Sequence, residues 1–210
     1  LIFDSGKSGA EEYLGQKVDL YAKAVDGKEN HLVVFVDGAR NTMVKTIDAE
    51  DLLPDRTTDS KVYYKDENFK EYNMAISSNA SLVYNGKHKS NWTKDDLDIE
   101  AGQITLISGK GLGVDTIIVE EYKNHIVEKV SVLNSTIYFK DGTSLVVDKL
   151  DTTKKISFTN TKGKDINISS CEKSNILSVS KSEDGSILRL ILSQDKVIGA
   201  ISELSVNEAK

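Results

Sequence analysis

The sequence predicts an all-β chain, built as two small antiparallel β-barrel or sandwich modules with short helical turns. Three observations carry that expectation. Short runs of β-branched and aromatic residues recur at spacings of roughly 8 to 12 residues, which suits a sandwich or barrel better than alternating strands and helices. The runs are punctuated by glycine turns at Asp26-Gly27, Asn85-Gly86, Asp141-Gly142 and Asp184-Gly185. No segment longer than about two helical turns presents a periodic apolar face. A single proline in 210 residues leaves the strands almost free of the residue that interrupts a central ladder.

The length and the 39% hydrophobic content suffice for one large core or two small ones. No apolar run approaches the roughly 20 residues of a membrane-spanning helix, so membrane insertion is not expected. A net charge of −6 and a pI near 5.2 remove the attraction that supplies most non-specific nucleic-acid binding, and no nucleic-acid partner is expected. The chain opens on Leu1 with neither a basic leader nor a small-residue cleavage site, as expected of a mature product or a piece of something longer. Cys171 has no second thiol and reads as a small buried side chain.

Taken in order, residues 1 to 12 are polar. Their Gly-Lys-Ser lacks the earlier glycine, the strand and the helix of a phosphate-binding loop. Val18, Leu20 and Ala22 alternate with Asp19, Tyr21 and Lys23. The turn at Asp26-Gly27 and the apolar run from Leu32 to Val36 complete a hairpin. After a turn near Asp37-Gly38 and a strand from Thr42 to Ile47, the stretch Asp48 to Pro54 reads as a capped turn. The acidic groups Asp48, Glu50, Asp51 and Asp55 lack the alternating ligand spacing of a calcium loop. Lys61 to Tyr64, Tyr72 to Ile76 and Ser81 to Tyr84 follow, the last running into Asn85-Gly86, the strongest short hairpin signal. Trp92 reads as a core plug or hairpin lid, and Thr93 with Asp96 as the cap of a short helical turn.

The central stretch from Ile104 to Val132 holds two β-branched runs, Thr116 to Val119 and Ile126 to Val132. Further strands are expected at Thr136 to Phe139, Ser144 to Val147, Lys155 to Thr159, Ile166 to Ile168, Ile176 to Ser180, Ile187 to Ser193 and Val197 to Leu204, with a turn at Lys162-Gly163. An internal echo links Val18 to Gly27, followed by LVVFV, with Ile176 to Gly185, followed by LRLIL. Two modules of common plan, or two ordinary hairpins, would both produce it. The expected boundary lies between Ala101 and Gly113, giving modules 1–107 and 108–210.

Catalytic chemistry finds little support in these residues. His31, His88 and His125 lie in separate strand groups without metal-ligand spacing. Glu120-Glu121 and Asp95-Asp96 are adjacent pairs, and neighbours in a strand point to opposite faces. No serine sits in a Gly-x-Ser-x-Gly elbow, and Cys171 has no basic partner nearby in sequence. Acceptor sequences for N-glycosylation occur at Asn79, Asn91, Asn134 and Asn167. No catalytic, cofactor-binding or metal-binding residue is expected, and no enzyme.

Four blocks carry a family resemblance: Tyr13 to Lys23, Ala80 to Lys87, Gly102 to Val130, and Ile176 to Leu204. In kind and order they resemble the β-rich stalk modules of large S-layer-associated surface proteins of Gram-positive bacteria. The resemblance implies a non-enzymatic structural module at the cell surface, whose partners are copies of itself or neighbouring modules. The family's Asp-rich loop before the valine-rich strand is reduced here, between Ser108 and Asp115, to the one carboxylate of Asp115, so no calcium role carries over. Edge strands at Lys61 to Tyr64 and Val197 to Leu204 are the expected contact points. Two alternatives stand beside this reading. One is a phage virion component of tail, collar or baseplate. The other is a carbohydrate-binding module, which requires Trp92 on one exposed face with Tyr63, Tyr64, Tyr72 or Tyr84.

Overall fold

The computed structural model describes residues 3–27, 29–38, 42–109, 113–148 and 151–195. It is all-β: 54% of it is strand and 8% short helical turn, against a usual strand share of about 20–25%. Three sheets succeed one another. The first has the order β1-β3-β2, from Phe3–Asp4 (β1), Val18–Ala24 (β2) and His31–Gly38 (β3). The second uses Met43–Asp48 (β4), Lys61–Lys65 (β5), Glu71–Tyr84 (β6), Lys87–Lys89 (β7), Gly102–Ser108 (β8) and Val114–Glu121 (β9). Its order is β4-β8-β9-β6-β5, with β7 also on β6. The third uses Lys123–Ser131 (β10), Thr136–Phe139 (β11), Ser144–Val146 (β12), Lys155–Asn160 (β13), Ile176–Lys181 (β14) and Ile187–Ser193 (β15), in the order β12-β11-β10-β14-β15-β13.

The expectation of two antiparallel barrels or sandwiches is corrected by this topology. The sheets run on as a β-solenoid, and each is mixed. Parallel pairs join β1 to β3, β6 to β9 and β13 to β15. Such pairs need long crossover connections, which the short-range turn signals do not register.

Period-two burial builds two separate cores. Along β15, Leu188, Leu190 and Leu192 are buried while Ile187, Arg189 and Ile191 are only half-buried. The first core runs from Ile47 to Val119, the second from Val127 to Leu192. The interval between them contains the step from β9 to β10. The expected division at 107/108 falls inside the β8–β9 hairpin, where Ile107 pairs with Thr116, so both of these strands belong to the first core.

Each turn glycine takes the positive φ expected of it: Gly27 (73°), Gly86 (85°), Gly142 (84°), Gly163 (73°) and Gly185 (69°). Gly38 instead ends β3, paired with Val18. Among the edges, β5 is terminal in its sheet as expected, yet it is closed. Leu53 N–H donates to Tyr63 O (2.9 Å), Thr58 exchanges two backbone bonds with Lys61, and Tyr63 N–H donates to Thr57 Oγ1 (3.2 Å). The segment from Leu52 to Thr58 thus occupies the groups a new strand would need. The other expected edge, Val197 to Leu204, lies outside the described residues.

Candidate functional site

The site is the junction of the two cores, and it grows from the Asn85-Gly86 turn. Tyr84 pairs with Lys87 across this two-residue loop, which requires left-handed backbone at both positions. Asn85 (φ 46°) and Gly86 (φ 85°) supply it. A side chain at Gly86 would also meet β15 of the third sheet, since its Cβ would lie 2.8 Å from Ile187 Cδ1.

Asn85 is only 5% exposed. Its backbone N–H donates to Val119 O (2.9 Å). Its side-chain Oδ1 accepts from Glu121 N–H (2.9 Å), and Nδ2 donates to Lys181 O (3.0 Å). One amide therefore ties β6 and β9 of the first core to the end of β14 in the second. Around it, Arg189 Nη1 donates to Glu120 Oε1 (2.7 Å), Gln103 Nε2 to Glu120 Oε2 (2.7 Å), and Lys87 Nζ lies 3.1 Å from Asp184 Oδ2. The exposed Lys87–Asp184 pair is worth about 0–1 kcal/mol. Orphaning a buried donor or acceptor costs about 1–3 kcal/mol, so the amide outweighs that pair.

Beside this clamp opens a cleft of about 550 Å³. Its charges are of both signs, and several are paired within the protein. Lys89 pairs with Asp96, and Tyr84 donates its hydroxyl to Glu121 Oε2 (2.8 Å). Burial, and then the Glu121 carboxylate, push the Tyr84 phenol well above its ordinary range. His125 on the cleft wall is held by Asp141 Oδ2, 2.9 Å from its Nδ1, and by stacking on Phe139. Among the described residues no three His, Cys, Asp or Glu side chains are grouped to hold a metal.

The residues singled out in the sequence fall as follows. Glu120 and Glu121 diverge, the first to Arg189 and Gln103 and the second to Tyr84. Thr93 and Asp96 form a reciprocal capping box, with Asp95 N–H donating to Thr93 Oγ1. Asp115 fastens its loop by accepting from Gly109 N–H (2.8 Å) and Ser77 Oγ (3.2 Å). Trp92 packs on the first core and donates its indole N–H to Ala80 O (3.0 Å), which makes it a lid. Tyr64 is buried and stacks with Tyr72, Tyr63 lies under Arg56, and Tyr84 sits at the junction. Burial pushes the Cys171 thiol up to about 11.

The clamp itself is not among the residues expected to act. Asn85-Gly86 signals a turn, and no local pattern tells that the amide meets a carbonyl 96 residues away. No protein-family model, curated protein or solved structure gives a match to the chain.

Proposed function

We propose that the chain is a non-enzymatic structural module of a bacterial cell-surface assembly, a spacer that holds its two ends in fixed relation. The observation that carries this reading is the Asn85 clamp. A loosely tethered pair of cores needs no buried amide at its joint, whereas a spacer needs one rigid step from core to core. The ion pairs Glu120–Arg189 and Lys87–Asp184 flank the amide and resist twisting about it. The resemblance of four ordered blocks to S-layer-associated stalk modules points the same way, and with it to an extracellular location.

The test is a distance measurement across the joint. Spin labels at Lys61→Cys and Lys162→Cys, on exposed positions of the two cores, are read by pulsed electron resonance in a Cys171→Ala background. The expected result is one narrow distance distribution, which broadens in Asn85→Ala. A broad distribution in the unaltered joint overturns the spacer reading.

A further inference from the structure

The first sheet has three strands where the others have six, and it leaves an unusual amount of apolar surface uncovered. Every residue of β2 after Val18 is exposed. Leu20 (42%), Tyr21 (55%), Val34 (53%) and Phe35 (57%) are open to solvent. On one edge, β1 covers only His31 and Leu32 of β3. On the other, among the described residues β2 pairs with β3 alone, and none of them closes its outer side as Leu52 to Thr58 closes β5. Unpaired N–H and C=O groups along such an edge are a template for another strand.

The sequence of β2 says which strand. Val-Asp-Leu-Tyr-Ala-Lys-Ala is self-complementary about its centre. We infer that β2 pairs antiparallel with β2 of a second copy of this chain, about a two-fold axis at Tyr21, to make the six-stranded sheet β1-β3-β2-β2-β3-β1. In this register Asp19 of each copy faces Lys23 of the other, on the face that carries Tyr21. Leu20 faces Ala22 and Val18 faces Ala24 on the opposite face. Tyr21 stands beside Phe35 within one copy, ring centroids 5.7 Å apart. The two-fold therefore sets Phe35, Tyr21, Tyr21 and Phe35 in one row across the joined sheet, a cross-strand aromatic arrangement that stabilises pairing. Opposite charges facing each other add to it, and like charges in that place oppose it. The six-residue edge strand β4 has no such charge complement, because a two-fold at its centre sets Lys45 against Thr46 and Asp48 against Met43.

The inference rests on the assembly reading above and names one of its contacts. Its test is separate from the distance measurement. Sedimentation equilibrium of the full chain gives the dimer constant for the wild type, for Asp19→Lys, for Lys23→Asp and for the double exchange. All four keep exposed residues exposed, so folding is not at stake. Each single change places two like-charge pairs in the ladder and is expected to weaken the dimer about tenfold or more. The double exchange restores both pairs and the affinity, and mixing the two single variants yields a heterodimer. As a second readout, Tyr21→Cys places two thiols across the axis at Cα separations of about 4.5–5.5 Å, within disulfide reach. It is expected to form a covalent dimer with oxidised glutathione, whereas Lys23→Cys is not. A monomeric wild type, or a dimer indifferent to the charge reversals, overturns the inference. A rigid but monomeric chain would overturn it while leaving the spacer reading intact.

Discussion

The β2–β3 and β14–β15 hairpins share a sequence pattern and end in opposite surroundings. Both place an alternating strand before an Asp-Gly pair and follow it with an apolar run, and both pair antiparallel as the pattern requires. The second is enclosed: β10 lies beside β14 and β13 beside β15, and Leu177, Leu188, Leu190 and Leu192 are buried. Among the described residues, the first has two-residue β1 as its sole neighbour, and only Val33 and Val36 are buried. A bulge contributes to the difference. Tyr21 pairs with Phe35 and Ala22 with Val33, so Val34 is the extra residue. The bulge moves the buried positions of β3 out of strict alternation. A local pattern is enough to write a hairpin, but burial is decided by which strands arrive on either side of it.

The sharpest way to break this comparison is to truncate one apolar side chain to alanine in each hairpin. Leu190→Ala in β15 deletes a side chain 1% exposed and is expected to cost about 3 kcal/mol, the range for cavities in packed cores. Val34→Ala in β3 is expected to stay within about 0.5 kcal/mol, as for surface changes. Urea denaturation of both variants checks this, and similar losses would mean that the first sheet contributes to a core after all.

A smaller effect separates the hairpins by their attachment. Asn85 binds the carbonyl of Lys181 at the end of β14 and the N–H of Glu121. Asn85→Ala leaves that carbonyl and the Glu121 amide without their partner, a loss of about 2 kcal/mol. Hydrogen exchange should show protection falling in β14 and at Glu121 while β2 and β3 exchange as before. Loss spread evenly over all three sheets would show that the amide supports the whole chain and not the joint.

What the residues disclose in advance follows the same division between local and distant causes. The all-β character, the positive-φ glycines, the Thr93–Asp96 cap and the lid role of Trp92 each depend on a few neighbouring residues, and each is legible. The parallel pairs β6–β9 and β13–β15 depend on which edge stays open after other strands have paired, and alternation carries no record of that. Lys61 to Tyr64 reads as an edge because it is one. What closes it, Leu53 and Thr57 to Thr58, is an irregular segment whose backbone bonds leave no periodic trace. At the junction, Asn85 is visible as a turn residue, but the partner of its amide, the carbonyl of Lys181, lies in another sheet.

The two five-residue loops after β5 and β13 offer a finer version of the hairpin comparison. Asp66 Oδ1 accepts from the N–H groups of Asn68 and Lys70, and Asn160 Oδ1 accepts from those of Lys162 and Lys164. Closing backbone bonds match as well, Asp66 N–H to Lys70 O and Asn160 N–H to Lys164 O, both 3.0 Å. The fourth position differs: Gly163 (φ 73°) in one loop, Phe69 (φ 60°), 81% exposed, in the other. A bulky residue in the left-handed region is strained, and an exposed ring recovers little by packing. Phe69→Gly is expected to stabilise the chain by about 1 kcal/mol, read as a raised melting temperature. An unchanged or lowered one would show that the Phe69 ring has contacts that offset its backbone.

The smallest expected effect concerns the turn that closes β14–β15, where Asp184 organises the loop. Its Oδ1 accepts from Ser186 N–H (3.0 Å), Ser182 Oγ (2.7 Å) and Ser186 Oγ (2.8 Å), while Oδ2 faces Lys87. Foremost the Ser186 backbone N–H, then the two serine hydroxyls, hold this carboxyl well below the ordinary carboxylate range. A carboxyl whose pKa is lower in the folded than in the unfolded chain contributes stability above its unfolded value, about 3.9. That contribution disappears as the pH falls through the folded value. The group is exposed, so the contribution is small. Asp184→Asn keeps an acceptor at Oδ1 and removes the charge. It is therefore expected to melt slightly below the wild type at about pH 7, with the gap closing as acid protonates the wild-type carboxyl. Thermal melts across that range check the sign. A gap that widened in acid would mean that the negative charge at the β14–β15 turn opposes folding, and that its hydrogen bonds to Ser182 and Ser186 do not hold the turn.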